Sequence, residues 1–187
     1  GESPRSLQLY GSDPYYIGEA VKRLVDEGRI DHLDMNFGCP VPKVTRKGGG
    51  AAIPLKTNLL RNIVRAAVTN AQAIPVTIKF RLGINATYST FISAGRVAED
   101  EGCAAVGLHA RTAAQLYHGQ ANWDAITELK QAVKLPVLGN GDIWEAEDAL
   151  RSSESSLQAV LRSTADGILA VNSENEVLYT NERFEEM

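Results

Sequence analysis

The stretch His32-Leu-Asp-Met-Asn-Phe37-Gly-Cys39 reads as a short strand that ends on an amide and a thiol. Four other runs read as strands: 7–11, Val76–Arg81, 105–110 and 136–141. Consecutive starts lie 25 to 44 residues apart, which leaves room for a helical crossover between parallel neighbours. The intervening sequence supplies the helices. Asp13-Pro14 is an N-cap followed by proline at the first helical position. Thr57 precedes Leu59, Leu60, Ile63, Val64 and Ala67 at helical spacing. Ser89 precedes a helix ending near Gly102, Asn122 precedes one over 123–133, and Asp142 opens one over 143–150.

Five βα units predict a parallel sheet, either a (β/α)8 barrel or a doubly wound sheet. Polar residues collect at the C-terminal ends of the strands: Asn36 and Cys39, Lys79 and Arg81, His109 and Arg111, Asn140 and Asp142. In a barrel these groups converge on one face, whereas an open sheet spreads them along an edge. The expected fold is therefore α/β, a partial TIM barrel over residues 1–150. Beyond Arg151 the pattern changes. Residues 151–156 read as a polar linker and 157–165 as a short helix. Residues 167–172 and 177–180, separated by Ser173-Glu-Asn-Glu176, read as a hairpin.

Composition excludes several classes. The 187 residues are 44% hydrophobic and 22% charged, an ordinary globular balance. No apolar run is long enough for a membrane span, and the polar start, 1–5, does not read as a signal peptide. Cys39 and Cys103 are too few for a disulfide framework and lack zinc spacing. No metal site is expected, and a reducing, cytoplasmic setting is. Residues 1–150 carry 16 basic and 16 acidic side chains, and the remaining 37 carry 3 and 7. Neither part binds nucleic acid through bulk charge alone.

The chemistry concentrates in residues 34–52. Cys39 follows a strand, in a loop stiffened by Pro40 and Pro42, with Gly48-Gly-Gly50 behind it. The glycines read as freedom for the segment to move or for a ligand to approach. The segment is not a P-loop, because Lys43 and Lys47 precede the glycines. Cys103, in a helix-to-strand turn, reads as a buried small hydrophobe.

Asn36-Phe-Gly-Cys39-Pro-x-Pro-Lys43-Val resembles the active-site loop of tRNA-dihydrouridine synthases. Further segments match in order: Leu7-Gln-Leu-Tyr-Gly11, Thr77-Ile-Lys-Phe-Arg81, Gly107-Leu-His-Ala-Arg-Thr112 leading to Tyr117-x-Gly-x-Ala-x-Trp123, and Gly139-Asn-Gly-Asp-Ile143. The resemblance implies an FMN-binding TIM barrel whose third to seventh strands are those above, and a helical tRNA-binding domain outside this sequence. It implies reduction of the C5–C6 double bond of uridine in tRNA, with FMN recharged by NADPH. Cys39 matches the proton donor to C5 and acts as a neutral thiol. Lys79, His109, Gln8 and the Asn140-Gly141-Asp142 turn match flavin contacts. Asn36, Arg81 and Arg111 are the candidates for the uracil. Trp123 reads as packing for its helix.

The resemblance also sets expectations for the rest. Strands missing from the barrel imply weak FMN retention by this chain, with residues 167–172 able to stand beside the strand at 136–141. Residues 157–181 resemble the opening of a PAS sensory domain. The alternatives are therefore another FMN-dependent barrel reductase, a PAS-type sensory protein, or an inactive chimera.

Overall fold

A computed structural model describes residues 3–143 and the two strands Leu169–Val171 and Val177–Thr180. Five strands alternate with helices in the first part: β1 (Ser6–Leu9), β2 (His32–Phe37), β3 (Val76–Arg81), β4 (Ala105–His109) and β5 (Val137–Asn140). The order across the sheet is β1-β2-β3-β4-β5, and every neighbouring pair is parallel. A doubly wound sheet reverses its strand order partway. This sheet never does, so the winding is that of a TIM barrel and the fold is a partial one.

The helices follow from the sequence signals, with shifts at their starts. α1 (Pro14–Asp26) begins on Asp13, whose carboxylate accepts from the Tyr15 and Tyr16 amides at 2.8 and 3.4 Å. α2 (Pro42–Thr45) is one short turn after Val41, and a 3₁₀ segment follows over Gly50–Leu55. α3 (Thr57–Ala71) contains Thr57 instead of being capped by it, and Lys56 stands at the cap. α4 (Phe91–Asp100) starts two residues after Ser89, whose hydroxyl donates to the Leu82 carbonyl. α5 (Asp124–Ala132) starts after Trp123, with the Asn122 carboxamide accepting from the Ala125 amide at 3.4 Å. The helix expected over 143–150 lies outside the described residues, apart from Ile143.

Alternation along the strands separates two faces. Leu33, Met35, Phe37, Ile78, Phe80, Val106 and Leu108 are fully buried and join the buried stripes of α1, α3, α4 and α5 in one core. Leu60, Ile63, Val64, Ala67 and Ala71 recur at helical spacing on α3. Burial of an aliphatic or aromatic side chain contributes roughly 1.5–3 kcal/mol, and this layer fixes the sheet. α3 and α4 are also joined by Arg61 and Arg65, which bridge to Asp100 and Glu101 at 2.7–2.9 Å. Cys103 is buried as expected, and burial pushes its thiol up to about 12.

The opposite face carries polar residues. Gln8 stands beside Asp34, Asp34 beside Thr77, Asn36 beside Lys79, Arg81 beside His109, and His109 beside Asn140. Leu169–Val171 pairs antiparallel with Val177–Thr180, the hairpin expected there. The five-stranded sheet does not include it.

Candidate active site

Because all five strands are parallel, their C-terminal ends lie at one end of the sheet. The loops leaving them carry Cys39, Arg111 and Asp142, with Lys79, Arg81, His109 and Asn140 just below.

Cys39 is half-buried, and the residue before it is gripped on both sides. The Gly38 amide donates to Asn36 Oδ1 at 2.9 Å, and the Gly38 carbonyl accepts from Arg81 Nε at 3.0 Å. The Cys39 carbonyl accepts from the Ala51 amide at 3.0 Å. Gly50 turns back against this loop with φ +53°. A β-carbon there would lie 2.5 Å from the Cys39 carbonyl oxygen and 3.0 Å from its Cβ. Gly50 therefore permits tight closure over Cys39, a contact beyond the freedom to move or admit a ligand expected of the glycine run.

Arg81 and Arg111 are expected from sequence to face a base, but both are buried and turned onto loop carbonyls. Arg81 Nη1 donates to the Thr112 and Leu116 carbonyls at 3.1 and 2.8 Å, and its guanidinium lies 5.6 Å from the Tyr117 ring centroid. Arg111 donates to the His118 and Gly119 carbonyls and pairs with Asp142. Asp142 also accepts from the Ala121 amide at 2.6 Å, and Arg111 holds its carboxyl below the usual carboxylate range. With φ +58°, Asp142 lacks the extended backbone typical of an N-cap. The Gly141 carbonyl accepts from Trp123 Nε1 at 3.1 Å, and a Gly141 β-carbon would meet Ala121 at 2.8 Å. Trp123 thus packs its helix onto the β5 end.

Lys79, His109 and Asn140 remain more available. Lys79 Nζ donates to Asn140 Oδ1 at 3.1 Å. Burial, then the Arg81 charge, lower the Lys79 pKa against the pull of Asp34. His109 Nε2 is buried and finds no partner among the described residues. Burial, with the Arg81, Lys79 and Arg111 charges, lowers its pKa to about 4, so near pH 7 it is a neutral imidazole.

Sequence reasoning missed the layer beneath. Ser6 Oγ meets His32 Nδ1 at 2.7 Å, His32 Nε2 meets Thr77 Oγ1 at 3.1 Å, and Thr77 donates to Asp34 Oδ1 at 2.7 Å. Gln8 Nε2 donates to Asp34 Oδ2 at 2.6 Å, and Asn36 Nδ2 to Gln8 Oε1 at 2.9 Å. The available signal was the polar member at alternate positions of β2: His32, Asp34 and Asn36. Among the described residues no group of three or more His, Cys, Asp or Glu could hold a metal ion, and no helix is long and apolar enough to cross a membrane.

A singly wound parallel sheet with cationic, imidazole, amide and thiol groups at its C-terminal end defines a segment of a TIM-barrel protein with its site in the usual place for that fold. A family model described as "Dihydrouridine synthase (Dus)" matches residues 1–172, and the chain belongs to the dihydrouridine synthase family. It is 61% identical over 152 residues to a probable tRNA-dihydrouridine synthase of Mycobacterium leprae, covering 80% of this chain and 40% of that protein. It is 41% identical over 150 residues to tRNA-dihydrouridine synthase B of Vibrio cholerae, covering 80% and 46% respectively. A probable tRNA-dihydrouridine synthase of Treponema pallidum is 40% identical over 156 residues, 79% of this chain and 46% of that protein. The chain thus spans less than half the length of these relatives.

Proposed function

We propose that this chain is the central barrel segment of a cytoplasmic tRNA-dihydrouridine synthase, which reduces the C5–C6 double bond of a uridine in tRNA. The observation that carries the reading is the grip on Gly38, which fixes Cys39 at the same strand ends as Lys79 and His109. The donor set suits FMN. Lys79 has ammonium protons beyond its bond to Asn140, and the His109 Nε2 has no partner among the described residues. Lys79, His109, Asn140 and Gln8 would hold the flavin ring, with Gly141 and Asp142 forming the turn beside it. When bound, FMN recharged by NADPH supplies hydride to C6.

This chain's own residues supply the rest. Lys79 would offer positive charge to the negative charge that develops on a bound ring and uracil. His109, neutral near pH 7, offers a hydrogen bond without a charge. Cys39 gives its Sγ proton to C5, which needs a neutral thiol and not a thiolate. Asn36 is the residue assigned to the uracil. Arg81, through Nε and Nη1, and Arg111, through Nε and Nη2, act as clamps on the Cys39 loop and the loop after β4, while Arg81 Nη2 and Arg111 Nη1 are the donors each keeps for a uracil carbonyl. Local charge gives RNA its foothold: Lys43 and Lys47 line a cavity of about 290 Å³ with Tyr10, and Tyr15 and Tyr16 are exposed nearby in sequence.

Residues 151–187 are proposed as a linker and the start of a separate, PAS-like module. Their two strands pair antiparallel, unlike all five strands of the sheet. The family match runs to residue 172, so the hairpin's first strand falls inside it and the second outside.

The test uses a full-length protein containing this segment, loaded with FMN and given NADPH and unmodified tRNA. Mass spectrometry of the digested tRNA should find uridine carrying two added hydrogens. Cys39→Ala should slow its formation by roughly 10²–10⁴-fold, the usual worth of a positioned general acid, while NADPH still reduces the flavin. A reduced flavin with no dihydrouridine in any tRNA would overturn the reading.

A further inference from the structure

We infer that Asp34 is a positioning residue for Cys39, acting through a one-way relay of carboxamides. The chain of contacts runs Asp34 Oδ2, Gln8 Nε2, Gln8 Oε1, Asn36 Nδ2, Asn36 Oδ1 and the Gly38 amide, with successive bonds of 2.6, 2.9 and 2.9 Å.

The sense of the relay follows from its ends. A carboxylate only accepts and a backbone N–H only donates. Asp34 therefore requires nitrogen from Gln8, which turns the Gln8 oxygen to Asn36. The Gly38 amide requires oxygen from Asn36, which turns the Asn36 nitrogen to Gln8. Both requirements agree on one assignment, and either carboxamide flipped alone breaks two bonds. The other Asp34 oxygen is held by the Thr77 hydroxyl at 2.7 Å, and Thr77 in turn meets His32. Asp34 is therefore anchored on β3 while it orders side chains on β1 and β2. The relay ends on the residue before Cys39, whose carbonyl Arg81 already holds.

Asp34 touches neither Cys39 nor a reacting atom in this arrangement. Its effect is to set which edge of Asn36 is spent on the loop and to hold Gly38 against it. The inference rests on the proposed function only for the role of Cys39. Its test needs neither flavin nor tRNA, so it can fail separately.

The probe is 2,2′-dipyridyl disulfide, which titrates thiols in acid as well as near neutrality. Mass spectrometry of the labelled 187-residue chain assigns the modified thiol, and buried Cys103 serves as the slow internal control. Asp34→Ala should raise the Cys39 rate about fivefold, the equilibrium worth of one net hydrogen bond, because Gln8 loses its anchor and the loop loosens. Asp34→Asn should stay within about twofold of wild type. Its oxygen still accepts from Gln8, and its NH₂ donates to a reversed Thr77 hydroxyl.

Gln8→Glu gives the diagnostic pH profile. Two carboxylates then face each other near neutral pH, with the Lys79 ammonium on β3 as the neighbouring cation and His32 linked to Asp34 through Thr77, and the relay opens. In acid a shared proton closes it again. The Gln8→Glu to wild-type rate ratio should thus fall toward one as pH drops from 8 to about 5. That ratio also carries the test if Asp34→Ala fails to fold. A flat ratio, or Asp34→Asn reacting as fast as a folded Asp34→Ala, would overturn the inference.

Discussion

His109 shows how one residue's surroundings become a measurable property. Burial and three neighbouring cations hold its pKa at about 4, against an ordinary value of 6.5. Between those values the unfolded chain binds a proton that the folded chain refuses. Stability from this residue is complete above about 6.5 and is lost as pH falls toward about 4. Thermal unfolding followed from pH 7 to 4.5 should show the melting temperature falling, and His109→Gln should flatten that fall. An unchanged slope in the variant would show that other groups carry it. The lowered carboxyls of Asp142, Asp31, Glu101 and Glu27 take effect mainly below their ordinary values of 3.8 and 4.5, so they join only at the acid end of the window and the difference between wild type and variant reports the imidazole. The same burial leaves Nε2 without a partner among the described residues, which ties a stability cost to an atom suited to ligand binding.

At the scale of elements, the decisive piece is the segment that returns over Cys39. Gly50 has φ +53° and its absent Cβ faces the Cys39 carbonyl oxygen at 2.5 Å, whereas Gly28 has φ +60° and nothing within 4 Å of that position. Left-handed backbone costs an L-residue roughly 1–2 kcal/mol. Gly28→Ala should lose about that much, a shift of roughly 2–8 °C for a chain of this size. Gly50→Ala should lose distinctly more, because the same strain is joined by overlap with the Cys39 backbone. Differential scanning calorimetry of the two variants separates the contributions, and equal losses would refute the packing role. The element pattern itself was readable: all five expected strands overlap the observed ones to within two residues at each end, because apolar runs and crossover lengths are local properties. What Gly50 does was not readable, since φ and the atom it meets depend on a contact across eleven residues of loop. The carbonyl contacts of Arg81 and Arg111 were unreadable for the same reason. A sequence reveals that a strand ends on arginine but not that carbonyls of the neighbouring loops fold back to receive it.

The whole molecule poses a problem of closure. A closed barrel has no edges, but the five-stranded sheet here ends at β1 and β5, and Gln8 on one edge strand and Asn140 on the other are both exposed. Among the described residues, the polar face that would hold a flavin is therefore walled by five strands where a full barrel supplies eight. Cofactor affinity depends on how much of the ligand is enclosed, and built pockets cover roughly 70–90% of a small molecule's surface. Under the proposed function, Lys79, His109 and Asn140 would supply ring contacts from one side only. The 187-residue chain purified from cells should therefore carry much less than one flavin per polypeptide, read from its visible absorbance against total protein. Added FMN should quench little in fluorescence titrations at micromolar protein. Lys79→Met should lower even that residual binding, because it removes the cation while leaving the buried stem in place. A yellow chain with stoichiometric flavin would mean that five strands enclose the ring sufficiently, and that the enclosing surface is present in this segment.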